Sequence, residues 1–316
     1  MKVLVTGGAG YIGSVVAQQL LAQGHEVTLL DNLSTGHQES VLTGVTWHQG
    51  DISEAAEVLD SSFDAIIHLA AKSLVAESMK HPERYWHGNV VASLGLIEAA
   101  RAANVPRFIF SSTAAVYGNP VTDLISEDHP TAPINPYGAS KLAIDHMLAA
   151  EAAAHGLATV SLRYFNVGGA SGSLREQHDP ETHLIPNLLK VATGESPHAQ
   201  LFGTDYPTAD GTAVRDYIHI KDLARAHLLA MEWAKPGTHE IFNLGTGVGS
   251  SVREVLDTAR TVTGRQIPVI EQPRRAGDPA VLVASGQKAA ETLGWVPEYS
   301  LENIIADAWT ALPDSD

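Results

Sequence analysis

The 316-residue chain contains no cysteine. That absence removes disulfides, thiol nucleophiles and cysteine-ligated zinc together. Basic residues are scarce as well: 20 Lys+Arg stand against 36 Asp+Glu, a formal net charge of −16. So acidic a chain is excluded as a general binder of nucleic acid or of an anionic membrane, since both require basic surface. An anionic small ligand stays open, because a few placed arginines and a helix N-terminus override a distant field. No run approaches the ~18 uninterrupted apolar residues of a membrane span. No targeting segment is legible, since glycines interrupt KVLVTGGAG within a few residues. The expected setting is therefore a soluble cytoplasmic protein. Fifteen histidines keep a His/carboxylate metal site formally open.

Apolar residues make up 44% of the chain, enough for a sizeable core. The length suggests about two domains. Short β-branched runs predict strands over 2–6, 26–30, 45–48, 64–69, 107–111 and 159–163. Helical patterns lie between them at 12–23, 54–59, 82–103 and 138–155. This alternation predicts an α/β fold, a doubly wound and mostly parallel sheet covered by helices on both faces. After Asn166 the pattern loosens: 168–179 is turn-rich, and helix-like segments recur at 184–193 and 251–263. The expected division is a nucleotide-binding domain over 1–166 and a smaller mixed α/β domain over 167–316. Segments near 215–245 are candidates to return to the first.

Gly8, Gly10 and Gly13 follow the first strand at dinucleotide-binding spacing, with Gly7 as a further permissive position. Glycine is needed there because the backbone must turn tightly, approach a pyrophosphate and pack helix on strand. The helix N-terminus, at Gly10, Tyr11, Ile12 and Gly13, then faces the phosphates with its positive dipole end. Asp31 closes the second strand, where a carboxylate accepts hydrogen bonds from the adenosine ribose and repels a 2′-phosphate. No arginine occurs among Asn32, Leu33, Ser34, Thr35 and Gly36, so NAD is favoured over NADP. Asp51 and Ile52, after the third strand, are weaker candidates for an adenine contact.

Tyr137 and Lys141 stand four apart at the start of a helix and so project from one face. A phenol with a pKa of ~10 needs about 4 kcal/mol of preferential phenolate stabilisation to lose three units. An ammonium about 5 Å away at an effective dielectric of ~20 supplies roughly 3 kcal/mol. An oxidised nicotinamide ring is the source of the remainder. Thr113 ends a strand 24 residues before Tyr137 in Ser111-Ser112-Thr113, placing a hydroxyl where it can relay the same proton.

These features carry a resemblance. VTGGAGYIGS, LLDNLSTG, GDI, FIFSSTAAVYG, PYGASK, LRYFN, DGTAVRDYIHIKDLARAH, FNLGTGVGSSV and RRAGDPA run almost end to end along the chain. Together they make it similar to the extended short-chain dehydrogenase/reductase family, and within it to the UDP-hexose 4-epimerases. The resemblance implies Tyr137 as catalytic base and acid, Lys141 as its pKa modulator and nicotinamide-ribose anchor, and Thr113 as supporting hydroxyl. It implies a tightly retained NAD bordered also by Leu69, Ala70, Ala71, Lys72, Asn89, Tyr164 and Phe165. Lys72 sits one position from where some relatives place a cofactor-binding lysine. Dehydratase relatives need an added acid and base, an Asp-Glu pair after the strand-end hydroxyl. Here those positions are Ala114 and Ala115, and methyl groups transfer no protons. The implied reaction interconverts UDP-galactose and UDP-glucose through a 4-keto sugar.

For the UDP-sugar substrate the resemblance points to Asn166, to His183 and Leu184 where many relatives have Asn-Leu, and to Tyr217. Arg215 and Arg275 are candidates for the diphosphate, which guanidinium forks suit. Asp278 is matched to the uridine ribose, Phe202 to the uracil and Leu282 to the gate of the sugar pocket. His68 and His219 are expected to pack beside the sheet, and no histidine pair shows ligand spacing, so no metal is expected. A homodimer is expected, pairing the helix around 89–103 with the Tyr137 helix. The alternatives are a 4-epimerase of a UDP-uronic acid or UDP-pentose, and a catalytically silent NAD-sensing protein on the same fold.

Overall fold

A computed structural model of the chain describes residues 1–275 and 278–313. Ala276 and Gly277 of the RRAGDPA stretch, and the last three residues of the 167–316 span, lie outside the described residues. Seven strands form the central sheet: β1 (Lys2–Thr6), β2 (Glu26–Asp31), β3 (Thr46–Gln49), β4 (Ala65–His68), β5 (Arg107–Ser111), β6 (Ala158–Tyr164) and β7 (His239–Leu244). Their order is β7-β6-β5-β4-β1-β2-β3, with every neighbouring pair parallel. The order reverses between β1 and β4, which opens a ligand crevice at their carboxyl ends.

The longer helices are α1 (Tyr11–Ala22), α2 (Ala92–Ala102), α3 (Pro136–His155), α4 (Leu184–Ala192), α5 (Ile220–Trp233), α6 (Val252–Thr263) and α7 (Leu301–Thr310). Alternate strand residues serve opposite faces of the sheet. Val3, Val5, Leu29, Ile67 and Val160 pack with Val15, Val16 and Leu20 of α1 and Leu223, Leu228 and Met231 of α5. Leu4, Leu30, Ile66, Phe108 and Phe110 pack on the other side with Leu96 and Ile97 of α2 and Ile144 and Leu148 of α3. Both faces of each strand are apolar because both are covered.

The helix ends follow local chemistry. The Asn135 side chain accepts the Gly138 N–H at 2.8 Å, Pro136 occupies the first turn, and Gly156 ends α3 at φ 76°. Ser251 and Glu254 form a capping box at the start of α6. The segment expected as one helix over 82–103 is broken into an α-helical turn at Pro82–Tyr85, a π-helical stretch at Trp86–Val91, and α2. That wider stretch buries Asn89, whose amide is committed to polar contacts described below.

A second core gathers Ile185, Leu188 and Leu189 of α4, Val255 and Leu256 of α6, and Ile304 and Ile305 of α7. Beside it runs a small sheet in the order Ser250–Ser251, Val214–Arg215, Val281–Ala284, Leu124–Ile125. The last strand is contributed by the first half of the chain. Conversely, β7 pairs with β6 and α5 packs on α1, so these later segments lie on the central sheet. Among the described residues no helix is long and apolar enough to cross a membrane.

Candidate active site

The glycine turn sits at the reversal point of the sheet. Gly7 has φ 71°, and a Cβ there would lie 2.7 Å from the Ala70 nitrogen. The turn after β1 and the Leu69–Ala70 backbone after β4 are therefore in direct contact. No side chain caps α1 at Gly10, and its first turn holds no acidic residue. The helix end thus keeps its N–H groups and positive dipole for an anion. Tyr11 turns away from that end, its hydroxyl donating to the Gly169 carbonyl at 2.7 Å.

Asp31 receives the N–H of Ala9 at 3.0 Å and that of Leu33 at 2.8 Å. It ties the glycine turn to the loop after β2 while keeping lone pairs for a ribose hydroxyl. Leu33 adopts a left-handed φ of 58° to make this contact, a strained geometry typical of ligand sites. The loop continues with Ser34, whose N–H bonds the Asn32 side chain, and Gly36 lies against the Asp31 carboxylate. The Asn32 amide reaches Asp51 at 2.9 Å, and Ile52 is buried behind it. Asp51, Ser53 and Lys72 line a cavity of ≈ 680 Å³ together with Arg84 and His87. The donor set, the glycine cradle and the uncapped helix end fit a dinucleotide. Of the stretches expected at the NAD site, 7–13 and 69–72 meet at Gly7 and Ala70, and 31–36 and 51–52 are joined by Asn32 and Asp51.

The reacting end lies beyond β5. Thr113 caps the turn at Ala114–Tyr117, accepting the Ala115 N–H at 3.2 Å. Burial pushes the Tyr137 phenol above its ordinary value, and its hydrogen bond with the Thr113 hydroxyl pulls it back. Tyr85 stands edge-on to the Tyr137 ring at 6.4 Å. Lys141 is buried, and burial lowers its pKa to about 7 against the pull of Asp145. Its Nζ donates to the Ser111 carbonyl at 2.8 Å. The Ser111 hydroxyl in turn bonds the Tyr164 phenol.

Asn89 is a bracket for this arrangement. Its side chain accepts the Lys72 N–H at 2.8 Å and donates to the Lys72 carbonyl at 3.0 Å and to Ser140 at 3.1 Å. It holds the loop after β4 against α3, one residue from Lys141. Phe165 packs with Val116, Tyr117, Ile125 and Leu282, so the expected gate residue borders the same apolar cluster.

The expected substrate residues form pairs. Arg215 donates to Asp278 and, at 2.8 Å, to the Pro279 carbonyl. The Arg275 guanidinium lies 4.1 Å from the centre of the Phe202 ring. The Asn166 amide donates to the Asp216 carbonyl at 3.1 Å, and buried Tyr217 follows at the start of its strand. His183 precedes Leu184, the first residue of α4.

His68 is buried as expected, hydrogen-bonded to Thr6 at 2.7 Å and Ser93 at 2.8 Å. His219 stacks on Tyr299 at 4.3 Å. The expectation that no histidine pair has ligand geometry fails for His178 and His183: with Glu176 and Glu181 they place four donor atoms within 4.8 Å of one another. Burial acts to lower the His183 pKa, but Glu176 and Glu181 override it and raise it to about 10.

Sequence reasoning also missed Asp145. Its carboxylate receives the Arg163 guanidinium at 2.9 Å, both side chains being 3% exposed, and it accepts Ser112 at 3.2 Å. Arg163 continues to Tyr117 at 3.1 Å, which donates to Asn243 at 2.6 Å. The spacing Tyr137, Lys141, Asp145 along one helix face was the available signal.

A glycine turn and uncapped helix end after β1, with a phenol, a hydroxyl and a buried lysine beyond β5, are the parts of a nicotinamide-dinucleotide enzyme. Residues 3–245 match the NAD dependent epimerase/dehydratase family, and the chain belongs to that family. It is 54% identical to a UDP-glucose 4-epimerase of Corynebacterium glutamicum, over 98% of this chain and 95% of that one. A UDP-glucose 4-epimerase of Brucella ovis, solved in complex with NAD, is 45% identical with a TM-score of 0.94, covering 98% and 97% of the two chains. A UDP-glucose-4-epimerase of Stenotrophomonas maltophila with bound NAD and formylated UDP-arabinopyranose is 39% identical, with a TM-score of 0.95 over the same shares.

Proposed function

We propose that this chain interconverts UDP-galactose and UDP-glucose by NAD-dependent epimerisation at C4, through a transient 4-keto sugar. The observation that carries the reading is the meeting of Tyr137, Thr113 and Lys141 beyond β5, followed by Ala114 and Ala115. That set serves proton removal and return at one oxygen and holds no further acid or base for eliminating water. NAD, when bound, supplies the hydride acceptor and donor for C4.

Tyr137 takes the 4-hydroxyl proton and later gives it back. Thr113 shares the same oxygen and steadies the phenolate through its hydroxyl. Lys141 brings a positive charge to that end of the crevice, drawn from a residue that Asp145 keeps protonatable. Asn166, Leu184, Phe202, Arg215, Tyr217, Arg275 and Asp278 serve the UDP moiety, with His183 contributing through its backbone. Remote binding of that kind lets a keto sugar turn over without escaping.

Residues 1–166, joined by segments near 215–245, form the NAD domain in this reading, and the remainder of 167–316 forms the substrate cap. The protein acts in the cytoplasm as a homodimer. Val91 and Leu94, 57% and 41% exposed beside and on α2, support pairing through that face. Light scattering at a monomer mass would remove the dimer.

Incubation with UDP-galactose and no added NAD tests the central claim, and UDP-glucose is the expected product. Its absence both with and without added cofactor overturns the reading. The formylated UDP-arabinopyranose bound to the Stenotrophomonas relative favours one second reading, a UDP-pentose 4-epimerase. A panel of UDP-hexoses, UDP-uronic acids and UDP-pentoses separates the two by kcat/KM.

A further inference from the structure

We propose that Glu176, His178, Glu181 and His183 form a tetrahedral site for a first-row divalent cation, with zinc the best fit. The His183 Nδ1 atom lies 2.7 Å from Glu176 and 3.0 Å from Glu181, and His178 Nδ1 lies 3.0 Å from Glu176. All four ligand atoms fall within 4.8 Å of one another. Ligands about 2.0–2.1 Å from a tetrahedral zinc are separated by about 3.3 Å. The cluster reaches that geometry when the short pairs open by about 0.3–0.6 Å and the wider ones, up to 4.8 Å apart, close. Two imidazole nitrogens with two carboxylates favour a borderline transition ion over magnesium or calcium, which prefer all-oxygen shells.

The surroundings are those of a built site. The Glu181 and Glu176 side chains are 3% and 8% exposed, whereas His183 is 47% exposed and leaves an entry path. Two carboxylates are thus held together out of water in a chain of net charge −16. His183 Nδ1 stands between the two carboxylates, and a divalent cation would take the place of its proton there. Glu181 is further fixed by the N–H groups of Thr182 and His183, both at 2.7 Å.

The cluster also has a structural consequence at the cofactor crevice. His37, in the loop after β2, meets the Gln177 carbonyl at 2.9 Å, and Tyr11 bonds Gly169 at the head of the same excursion. A metal at residues 176–183 would fix this excursion beside the loop after β2, and its binding to the folded state alone would raise Tm.

The test uses the full-length, untagged protein after dialysis against a chelator. Calorimetric titration with zinc chloride should show one tight site per chain. Cobalt(II) at the same site should give the intense visible absorption of a tetrahedral centre, and magnesium should not displace it. Glu181→Gln and His178→Ala should each weaken zinc binding at least tenfold, while His155→Ala, at an exposed histidine, should not. Equal zinc uptake by parent and variants overturns the proposal. So does a pale octahedral cobalt spectrum, or displacement of cobalt by magnesium. The cobalt spectrum of the unaltered protein decides the matter even if a variant fails to fold.

Discussion

Lys141 donates from Nζ to the carbonyl oxygen of Ser111 at 2.8 Å, joining the first turns of α3 to the end of β5 through one buried amine. The contact explains why the lysine is both costly and useful. Burial lowers its pKa to about 7, and Asp145, one helical turn further on, works in the opposite direction. The same strand end holds Thr113 against Tyr137, so proton transfer and charge support are set by a single strand–helix junction.

Tyr137→Phe should remove the proton carrier while leaving the fold intact. Positioned acid–base groups contribute about 10²–10⁴-fold to rate, and kcat should fall by at least the lower figure. Thr113→Val should cost less, because it removes a hydrogen bond to the phenol and not the phenol itself. Steady-state turnover of UDP-galactose, with folding checked by circular dichroism, reads both. Full activity in Tyr137→Phe would sink the mechanism.

Asp145→Asn should be severely destabilising. The Arg163 partner is 3% exposed, and breaking a buried pair by removing one member costs about 3–5 kcal/mol. Ser112 and Arg163 share one carboxylate oxygen, which the amide oxygen of asparagine can replace, so the variant removes the charge and not the acceptor. Urea unfolding should show a lower midpoint with an unchanged slope. An unaltered midpoint would mean that the pair contributes little, contrary to its burial.

Much of this site is legible locally. The glycine turn, Asp31 and the Tyr137–Lys141 spacing are short-range patterns; the structure bonds Asp31 to the glycine turn and Lys141 to the end of β5. Asp145 was within reach of the same helical argument, since it repeats the four-residue step. The pairing of Leu124–Ile125 with Val283–Ala284 was not, because it joins segments far apart in sequence through only two residues. Arg215 with Asp278, and Arg275 with Phe202, are likewise products of tertiary folding. Periodicity carries no information about such partners. The π-helical stretch at Trp86–Val91 looks like ordinary helix in sequence, because its cause is the contact of Asn89 with the Lys72 backbone and Ser140.

Acid should destabilise the protein through three buried histidines. Burial holds His68 down to about 3, and His219 and His227 down to about 4. As pH falls below ~6.5, the unfolded chain takes up protons that the folded chain refuses, so stability declines. Each histidine contributes a slope approaching about 1.4 kcal/mol per pH unit, ending near its folded pKa. Tm measured from pH 7 to 4 should fall steadily, and His227→Gln should flatten the fall. Identical slopes in parent and variant would refute this account.

Gly13→Ala should separate folding from cofactor retention. A Cβ on Gly13 would stand 2.1 Å from the Gly7 carbonyl oxygen, and backbone cannot yield as a flexible side chain can. The start of α1 must therefore withdraw from the glycine turn, opening the place where the helix end would meet a pyrophosphate. The sheet interior, built from β1, β4 and β5, is untouched by that shift, so the far-ultraviolet circular dichroism should remain close to that of the parent. The NAD carried through purification and released on denaturation should fall at least tenfold, and activity should fall with it. Gly95→Ala is the matched control. It lies within α2 with nothing within 4 Å of the added methyl, and replacing an exposed helical glycine by alanine stabilises by roughly 1 kcal/mol. A Gly13→Ala protein that keeps its NAD would show that the turn is a packing feature and not the phosphate cradle.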